Sequence, residues 1–583
     1  MVHNILNVRV GMVLFLLSTL FMAGPGNQIL AQPTMLNPSL EVRTVVSGLV
    51  TPNKIAFLGS DDMLVLEKNT GRVNRIVDGS FHSTVLDLGV NFAAERGLLG
   101  VALHPDFANS PFVYLFWTES TSGDDSNVPG NTLLLGNRVD KFIWDGSLLT
   151  FAQNLIRIRA LQSDAGQNER GNNNGGALQF GLDGKLYVFI GDVGRRGWLQ
   201  NLPCGPTETC PGATVPDDQF GGPEPDNAHF TGVILRLNDD GTTPSDNPFF
   251  AAGSSLGGEA GANIQKIFSY GHRNSFGMTF DPRSGDLWLA ERGDDSFSEI
   301  NRVLPGMNGG WVQIMGPVER ISHYKEIETS TDYFGLQQIR WSPENIANTP
   351  EEALSRLFML PGAHYGDPAF SWKFEVAPAG MGFAEGRGLG AKFAGDLFIG
   401  AAVDVLEGGY LFRLKLTGNR RKIAVDDPLL QDRVADNLDR WDITESESII
   451  IGRDFGICTD IRTGLNGNLY VVSISHGAIY EISGKKNLAK DNDHTLHSFN
   501  LLQNYPNPFN PSTSISWQSP IDSWQTLKVY DVLGNEITTL VDAYQPAGKY
   551  EAEFDANGLP SGIYFYKLQA GDFIQTKKMV LMR

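Results

Sequence analysis

Residues 169–192 contain a run of polar side chains that could take part in chemistry. Three asparagines, Asn172 to Asn174, stand before two glycines, and a strand-like stretch then ends at Asp192. An amide has no usable proton affinity near neutral pH, so none of these asparagines can act as a general base. Asp192 follows the strand, where an aspartate can cap a turn. The stretch therefore holds carboxylates and several amides but no histidine.

The histidines are the remaining candidates for a base, because histidine titrates nearest to neutral pH. The candidates are His104, His229, His272 and His364. His104, in the sequence HPDF, is typical of a structural turn. His229 lies on a loop before a strand, from where it can reach the mouth of a pocket. We therefore keep His229 as an alternative catalytic base and expect structural roles for the others.

One pattern recurs along the chain, a tight polar turn followed by a short alternating strand. In several copies, aspartate, asparagine or serine before glycine provides a hairpin turn, and large apolar residues then alternate into a core. The copies are GSDDMLVLE (59–67), HPDFANSPFVYLFW (104–117), GLDGKLYVFIGD (181–192), DPRSGDLWLAE (281–291), AKFAGDLFIGA (391–401) and GLNGNLYVVSI (464–474). Helical periodicity is scarce outside residues 350–358.

These six units predict an all-β chain with a six-bladed β-propeller over residues 42–483. Their spacing is too irregular for a solenoid, whereas a ring of blades tolerates long loops between strands. Each blade buries its faces against its neighbours, and closure of the ring removes free strand edges. An array of β-sandwiches is the alternative architecture.

A second, smaller domain is predicted at the C-terminal end. Residues 484–498 are charged and polar, as expected for a linker. Over residues 499–583, short strands alternate with Asn-Pro, Leu-Gly and Ser-Gly turns. This pattern predicts a small Ig-like β-sandwich.

Residues 1–31 have the features of a signal peptide. Arg9 precedes an apolar run that is too short to span a bilayer comfortably, and Ala31 offers a cleavage site. A retained anchor helix is the alternative. No later stretch looks transmembrane, so none is expected in the mature chain. The net charge of −20 and the lack of a basic stripe argue against nucleic acid as a partner.

The three cysteines have different expected roles. Cys204 and Cys210 share one short loop, and export favours a disulfide between them. Metal binding is the alternative, although two thiols without nearby histidines make a poor zinc site. Cys458 lies in an apolar strand and is expected to be an inert core residue.

The C-terminal module resembles the type A sorting domain of type IX secretion. The matching motifs are NYPNPFNP (504–511), VYD (529–531), Gly534, Leu559, SGIY (561–564) and the lysine pair at 577–578. The resemblance implies a β-sandwich domain that the type IX secretion machinery recognises. It also implies passage across the outer membrane, followed by release or attachment at the cell surface.

Residues 42–483 resemble the glucose/sorbosone dehydrogenase family, whose members are six-bladed propellers that use pyrroloquinoline quinone (PQQ) and calcium. The matching stretches are ERGLLG (95–100), HPDF (104–107), GD (191–192), GVILRL (232–237), DNP (246–248), GHRN (271–274), ERG (291–293) and EIN (299–301). The resemblance implies oxidation of a sugar C1 hydroxyl. That reaction needs a base, an electron sink that only a cofactor supplies, and groups that hold the quinone.

The resemblance also implies roles for individual residues. The family's base histidine corresponds to Asn173, and Asp192 matches the carboxylate that orients it. Arg273 and Asn274 match residues that contact the quinone, and a guanidinium suits a planar carboxylate. Further residues that stand in or beside motifs lining the family's pocket are expected to help bind the cofactor: Glu95, Arg96 and Arg292.

A calcium site is implied by the next motif. Gly293 and Asp294 match a loop whose backbone carbonyls hold the metal in the family, where proline is usual at the second position. Carboxylates are good calcium ligands, so Asp294, Asp295 and Glu299 complete the predicted metal set. A solvated acidic turn is the alternative for Asp295.

The chain departs from the family where further cations are expected. Ile457 and Thr459 align with two arginines that bind the quinone in the family. A lysine that the family has near residues 400–409 is also absent. The loss of cations from a site for a tri-anion is costly unless other groups compensate. Candidates for compensation are Arg96, Arg292, Arg195 and Arg196.

Two functions fit these observations. The first is a secreted, PQQ- and calcium-dependent dehydrogenase that oxidises an aldose or a related sugar alcohol group and passes the electrons to an acceptor. The second is a propeller of the same family that binds carbohydrate or protein without turnover. The presence of Arg273, Asn274 and Asp192 favours the first. The absence of a histidine at position 173 and of arginines at positions 457 and 459 favours the second.

Overall fold

Strands dominate the computed structural model, which describes residues 32–161, 171–194, 230–330, 346–401, 408–485, 499–571 and 573–582. Contacts divide the chain into two units, of which the first ends at Gly484. Its strands, numbered in chain order, form six successive sheets. The first sheet contains β3 (Pro52–Gly59), β4 (Asp62–Glu67), β5 (Arg72–Val77) and β6 (Ser80–Asp87). The second contains β7 (Leu98–Leu103), β8 (Phe112–Thr118), β9 (Asn137–Trp144) and β10 (Leu149–Ile158).

The third and fourth sheets carry additional short strands at their outer edges. The third contains β11 (Leu178–Phe180), β12 (Leu186–Ile190), β13 (Val233–Leu237), β14 (Ile267–Tyr270), β18 (Met307–Asn308) and β19 (His364–Tyr365). The fourth contains β15 (Gly277–Phe280), β16 (Leu287–Glu291), β17 (Ser296–Val303), β20 (Phe370–Phe374) and β25 (Val434–Ala435).

The last two sheets each recruit a strand from the N-terminal part of the chain. The fifth contains β21 (Pro378–Phe383), β22 (Leu397–Ala401), β23 (Tyr410–Leu416), β24 (Ile423–Ala424), β26 (Ile450–Arg453) and β1 (Thr34–Met35). The sixth contains β27 (Cys458–Thr463), β28 (Leu469–Ser473), β29 (Ala478–Gly484) and β2 (Leu40–Val46). Each sequence repeat supplies the second strand of its sheet, namely β4, β8, β12, β16, β22 and β28.

The sheets form a closed ring. Their first strands contact one another in the order β3, β7, β11, β15, β21 and β27, and β27 contacts β3 again. Strand β2 pairs antiparallel with β29, so an N-terminal strand completes the last sheet. Apolar clusters fill the spaces between neighbouring sheets, for example Leu64 and Val73 with Val101 and Leu115. Burial of both faces of each sheet against its neighbours agrees with the all-β propeller class predicted from the sequence.

Helices are few in the described part of the chain. The α-helices are α1 (Phe250–Leu256), α2 (Gly258–Ile264), α3 (Ile321–Thr329) and α4 (Pro350–Ser355), and short 3-10 turns cover Val318–Arg320, Ala391–Phe393, Pro428–Leu430 and Glu447–Ile449. Helix α4 confirms helical structure in the stretch 350–358, but it ends at Ser355, before the predicted end. Thr349 caps the helix by accepting a hydrogen bond from the Glu352 amide. No helix in the described ranges is long and apolar enough to cross a membrane.

The second unit contains two sheets that share one core. One sheet contains β30 (Asn500–Leu501), β31 (Ser512–Ser519) and β34 (Gly548–Asp555), and the other contains β33 (Glu536–Gln545), β32 (Ser523–Tyr530), β35 (Gly562–Ala570) and β36 (Phe573–Leu581). Trp517 of one sheet and Tyr566 of the other belong to the same buried cluster, which also includes Phe509 of the proline-rich motif. Asn504 of that motif is buried and bonds Thr513 through its side chain.

Candidate active site

The residues singled out in the sequence meet at one end of the ring, just before the first strands of the second, third and fourth sheets. Glu95 precedes β7, Asn173 precedes β11, and Asn274 precedes β15. Glu95 Oε2 accepts hydrogen bonds from the Asn173 backbone amide at 2.8 Å and from Asn274 Nδ2 at 3.0 Å. One carboxylate therefore ties three sheets together at the predicted pocket.

Asn173 and Asp192 are in direct contact. The Asn173 side chain donates from Nδ2 to Asp192 Oδ1 at 2.8 Å, and Asp192 also accepts from the Gly194 amide and from Trp311 Nε1. Burial raises the pKa of the Asp192 carboxyl, while the Arg273 guanidinium and the Asn173 hydrogen bond oppose that rise. Asp192 thus orients the side chain at the predicted base position, although that side chain is an amide.

The backbone around Asn173 leaves little space. Asn173 has a φ of 54°, in the left-handed region, where asparagine is tolerated better than most residues. A Cβ atom on Gly191 would lie 2.2 Å from the Asn173 carbonyl oxygen. Glycine at position 191 is therefore required for the approach of the strand that carries Asp192.

Arg273 is held by acidic and aromatic neighbours. Its guanidinium forms an ion pair with Asp294 through Nη2, donates to the Arg292 carbonyl at 3.3 Å, and lies 5.5 Å from the centre of the Trp311 ring. Burial disfavours its charge, but Asp294 and Asp192 hold the pKa of Arg273 above its usual value. Arg273 Nε is buried and has no hydrogen-bond partner among the described residues.

The neighbouring residues of the same motif are also buried. Asn274 Oδ1, like Arg273 Nε, has no partner within the described part of the chain. His272 contacts Glu291 through Nδ1 at 3.0 Å and Ser269 through Nε2 at 2.8 Å. Because both ring nitrogens are engaged and the side chain is fully buried, His272 supports the loop and is not available to a substrate.

Arg292 belongs to a network that the sequence did not predict. It forms an ion pair with Glu375 at 2.7 Å, and Glu375 also lies 3.5 Å from Arg440. Arg440 in turn pairs with Asp295 at 2.5 Å. These partners come from distant parts of the chain that carry no repeat or motif, so no sequence signal marked them.

The predicted metal residues are engaged by protein groups. Asp294 pairs with Arg273 and Asp295 with Arg440, whereas Glu299 accepts from the Gly316 amide and from Asn301. Burial, followed by repulsion from Glu291, raises the pKa of Glu299 to about 8. Within the described ranges, histidine, cysteine, aspartate and glutamate form no group of three or more that could hold a metal ion. Calcium binding at this loop stays a prediction.

Arg96 is fully buried beside the Asn173 loop. It donates to the Ala93 and Pro129 carbonyls, and a Cβ atom on Gly171 would lie 2.4 Å from its Nε atom. These contacts show Arg96 joining loops of the protein. A role in cofactor binding stays a prediction.

Position 459 has an unexpected neighbour. The Thr459 carbonyl accepts from Lys54 Nζ, and the same ammonium donates to the Phe276 carbonyl at 2.8 Å and lies 3.6 Å from Asp460. Burial lowers the pKa of Lys54. A cation thus lies next to a position where the family arginine is missing, although its hydrogen bonds are to protein groups.

Several predictions fall outside the described residues. These are the alternative base His229, the Cys204–Cys210 disulfide, Arg195, Arg196, the signal peptide and most of the linker. Cys458 is buried, and burial raises the pKa of its thiol to about 12, as expected for an inert core residue. His104 accepts from the Asp106 amide at 3.1 Å, which agrees with a structural turn.

Comparisons with known proteins agree with both parts of the architecture. The glucose/sorbosone dehydrogenase family model matches residues 49–344, slightly more than half of the chain, and the secretion system C-terminal sorting domain model matches residues 503–582. The aldose sugar dehydrogenase YliI of Escherichia coli is 27% identical over 448 residues, which cover 76% of this chain and 93% of that protein. The quinoprotein glucose dehydrogenase B of Acinetobacter calcoaceticus is 28% identical over 283 residues, which cover 48% of this chain and 53% of that protein.

Solved structures show the same fold. The apo-form crystal structure of the soluble aldose sugar dehydrogenase of Escherichia coli aligns with a TM-score of 0.50 at 25% identity, covering 76% of this chain and all of that chain. A crystal structure of a glucose dehydrogenase aligns with a TM-score of 0.51 at 24% identity. The sorting domain indicates type IX secretion and an extracellular or cell-surface location. The chain belongs to the glucose/sorbosone dehydrogenase family and carries a C-terminal sorting domain.

Proposed function

We propose that this chain is an exported oxidoreductase that oxidises an aldose or a related sugar alcohol group with PQQ and calcium. The observation that carries the proposal is the meeting of Asn173, Asp192, Arg273 and Asn274 in one cluster, in which only Arg273 is partly exposed. Two polar atoms of this cluster, Arg273 Nε and Asn274 Oδ1, have no partner among the described residues. Buried polar atoms in that state are unusual in a folded protein unless a ligand or water satisfies them.

These two atoms fit the quinone chemically. Arg273 offers a donor to a carboxylate and Asn274 an acceptor to a ring N–H, which are both present in PQQ. Calcium would take the backbone carbonyls of Gly293 and Asp294, with the Asp294 carboxylate nearby. When bound, PQQ supplies the acceptor for two electrons and a hydrogen, which no side chain can supply.

The chain's own residues position the reactants. Asp192 holds the Asn173 amide, and Trp311 contacts both Asp192 and Arg273, so one indole links the predicted base position to the quinone contact. Asn274 shares Glu95 with the Asn173 backbone. These contacts preset the pocket before a ligand enters, which reduces the cost of ordering it on binding.

The architecture belongs to the same proposal. We take the six sheets as six propeller blades, residues 42–483 as the catalytic domain, 484–498 as a linker and 499–583 as an Ig-like sorting sandwich. Residues 1–31 would direct export to the periplasm and be removed there.

A second candidate is a family member that binds a sugar or a protein without turnover. The observation in its favour is Asn173, because an amide at the base position cannot accept a proton. It predicts ligand binding without electron transfer.

The test uses purified full-length protein with added PQQ and calcium. Quinone binding is followed by its absorbance, and turnover by reduction of a dye with a panel of aldoses. The proposal expects both signals, and Arg273→Ala should weaken quinone binding. Sugar binding without dye reduction, in protein that has bound the quinone, would favour the second candidate.

A further inference from the structure

Glu95 contacts the protein through only one of its two carboxylate oxygens. Oε2 accepts both hydrogen bonds, from the Asn173 amide and from Asn274 Nδ2. Oε1 has no hydrogen-bond partner among the described residues, and the side chain is only half-buried. One oxygen is therefore fixed by the protein while the other is open to a ligand.

This carboxylate lies beside the position from which the base is missing. Its Oε2 atom is 2.8 Å from the backbone nitrogen of Asn173. Asp192 is less suited to the task, because it is 3% exposed and its oxygens already accept three hydrogen bonds. His272 has neither a free ring nitrogen nor exposure. Asp294 is also partly exposed, but its carboxylate is paired with Arg273, whereas Glu95 forms no ion pair among the described residues. Of these groups, Glu95 is therefore the carboxylate that combines an open oxygen with access.

We propose that Glu95 is the general base of the reaction, in place of the histidine that Asn173 replaces. The inference rests on the proposed function. Glu95 Oε1 takes the proton of the sugar's anomeric hydroxyl and becomes a carboxylic acid. With PQQ bound, the quinone would take the C1 hydrogen together with its two electrons, and the C1–O bond would become the carbonyl of a lactone that is released. Glu95 later returns its proton to water.

Charged neighbours fit this role. Lys68 and Arg273 both interact electrostatically with Glu95, and burial lowers the pKa of Lys68 to about 8 despite the opposing effect of Glu95. Lys68 donates to the Ala94 carbonyl, one residue from Glu95. Two cations therefore lie near the Glu95 carboxylate, and Lys68 is itself only partly buried.

The role also differs from cofactor binding, which the sequence suggested for Glu95. A carboxylate weakens the binding of a tri-anion, so its conversion to an amide should tighten quinone binding or leave it unchanged. In contrast, the loss of a base lowers the rate of the chemical step. The two roles therefore predict opposite patterns for one substitution.

The test is Glu95→Gln in the full-length protein, because glutamine Oε1 can keep both hydrogen bonds from Asn173 and Asn274. We expect kcat to fall by about 10²–10⁴-fold, with the quinone absorbance titration unchanged or shifted to tighter binding. The acid limb of the pH–rate profile should disappear. Glu447→Gln, at an exposed position away from the cluster, serves as the matched control. Addition of Asn173→His to Glu95→Gln should restore turnover.

A second readout does not depend on turnover. Carbodiimide and glycinamide should label Glu95 in the free protein, and an aldose should protect it, as located by peptide mass spectrometry. Wild-type turnover in Glu95→Gln, or loss of quinone binding in that variant, would overturn the assignment of the base while leaving the proposed function intact. Absence of dye reduction by quinone-loaded wild type would overturn both.

Discussion

Asn173 retains the hydrogen bond of the expected imidazole but not its proton chemistry. Its Nδ2 atom donates to Asp192 at 2.8 Å, as a ring N–H would. The amide has no second atom with useful basicity. The pocket has therefore kept the geometry that orients a base, so a histidine placed there should find its partner already present.

In the Glu95→Gln background, Asn173→His is expected to raise turnover by about 10²-fold, the lower end of the range for general-base help. Imidazole is better matched to neutral pH than a carboxylate, and Asp192 would fix its tautomer. Steady-state dye reduction at saturating quinone and calcium measures the effect. His229→Ala should stay within about twofold of wild type if Glu95 is the base. A large loss in that variant would assign the base to His229 instead.

Trp311→Phe should lower the free energy of unfolding by about 1–3 kcal/mol, the cost of leaving a buried carboxylate short of one donor. Phenylalanine keeps an aromatic ring against Arg273 but cannot donate to Asp192. Urea unfolding followed by fluorescence measures the change. Trp524→Phe, at an exposed position in the second unit, is the control. Equal stability of the two variants would contradict the structural role given to the Trp311–Asp192 bond.

At the scale of elements, the hairpin repeats could be predicted because their signal is local. A polar turn and an alternating strand occupy a few adjacent residues, and each marked the second strand of a sheet. The contact between Trp311 and Asp192 joins residues 119 positions apart, and no spacing rule connects them. The resemblance to the family predicted that Asn173, Asp192 and Asn274 share one site. It could not predict Glu375 and Arg440, because they lie outside the family's motifs.

The unpredicted helices have a related explanation. Helix α1, with the sequence FAAGSSL, has no apolar periodicity, and α3 has only nine residues, although Ile321, Tyr324 and Ile327 are buried at a spacing of three. Short segments of this kind are stabilised by packing against the rest of the protein. Their helical state therefore depends on neighbours that the local sequence does not reveal.

The three cysteines permit a prediction of how many thiols react with a labelling reagent: two lie in the loop at 204–210 and one in strand β27. Iodoacetamide should label no cysteine in the native exported protein at pH 8, because the Cys458 thiol is buried with a pKa of about 12. Unfolding should expose that one thiol, and reduction should then release the other two of the three. Mass spectrometry counts the labels. Three labels after unfolding without reduction would exclude the Cys204–Cys210 disulfide.

At the scale of the whole molecule, the chain joins a ring of sheets to a module with its own core. Deletion of residues 500–583 should leave the ring folded but confined to the periplasm, because a domain with its own core folds without its neighbour. Fractionation and immunoblotting measure the location, and the purified truncated protein should keep the wild-type thermal transition of the ring. Full secretion of the truncated protein would contradict the sorting role.

The pairing of β2 with β29 has a consequence for biogenesis. Strand β2 is made early, but its partner lies at the end of the ring, at Ala478–Gly484. The ring therefore cannot close until almost the whole ring sequence has been synthesised and translocated. The sorting module follows that last strand in the chain. A polypeptide that ends before the ring closes therefore also lacks the sorting domain. Because of this order, we expect only chains long enough to complete the ring to cross the outer membrane.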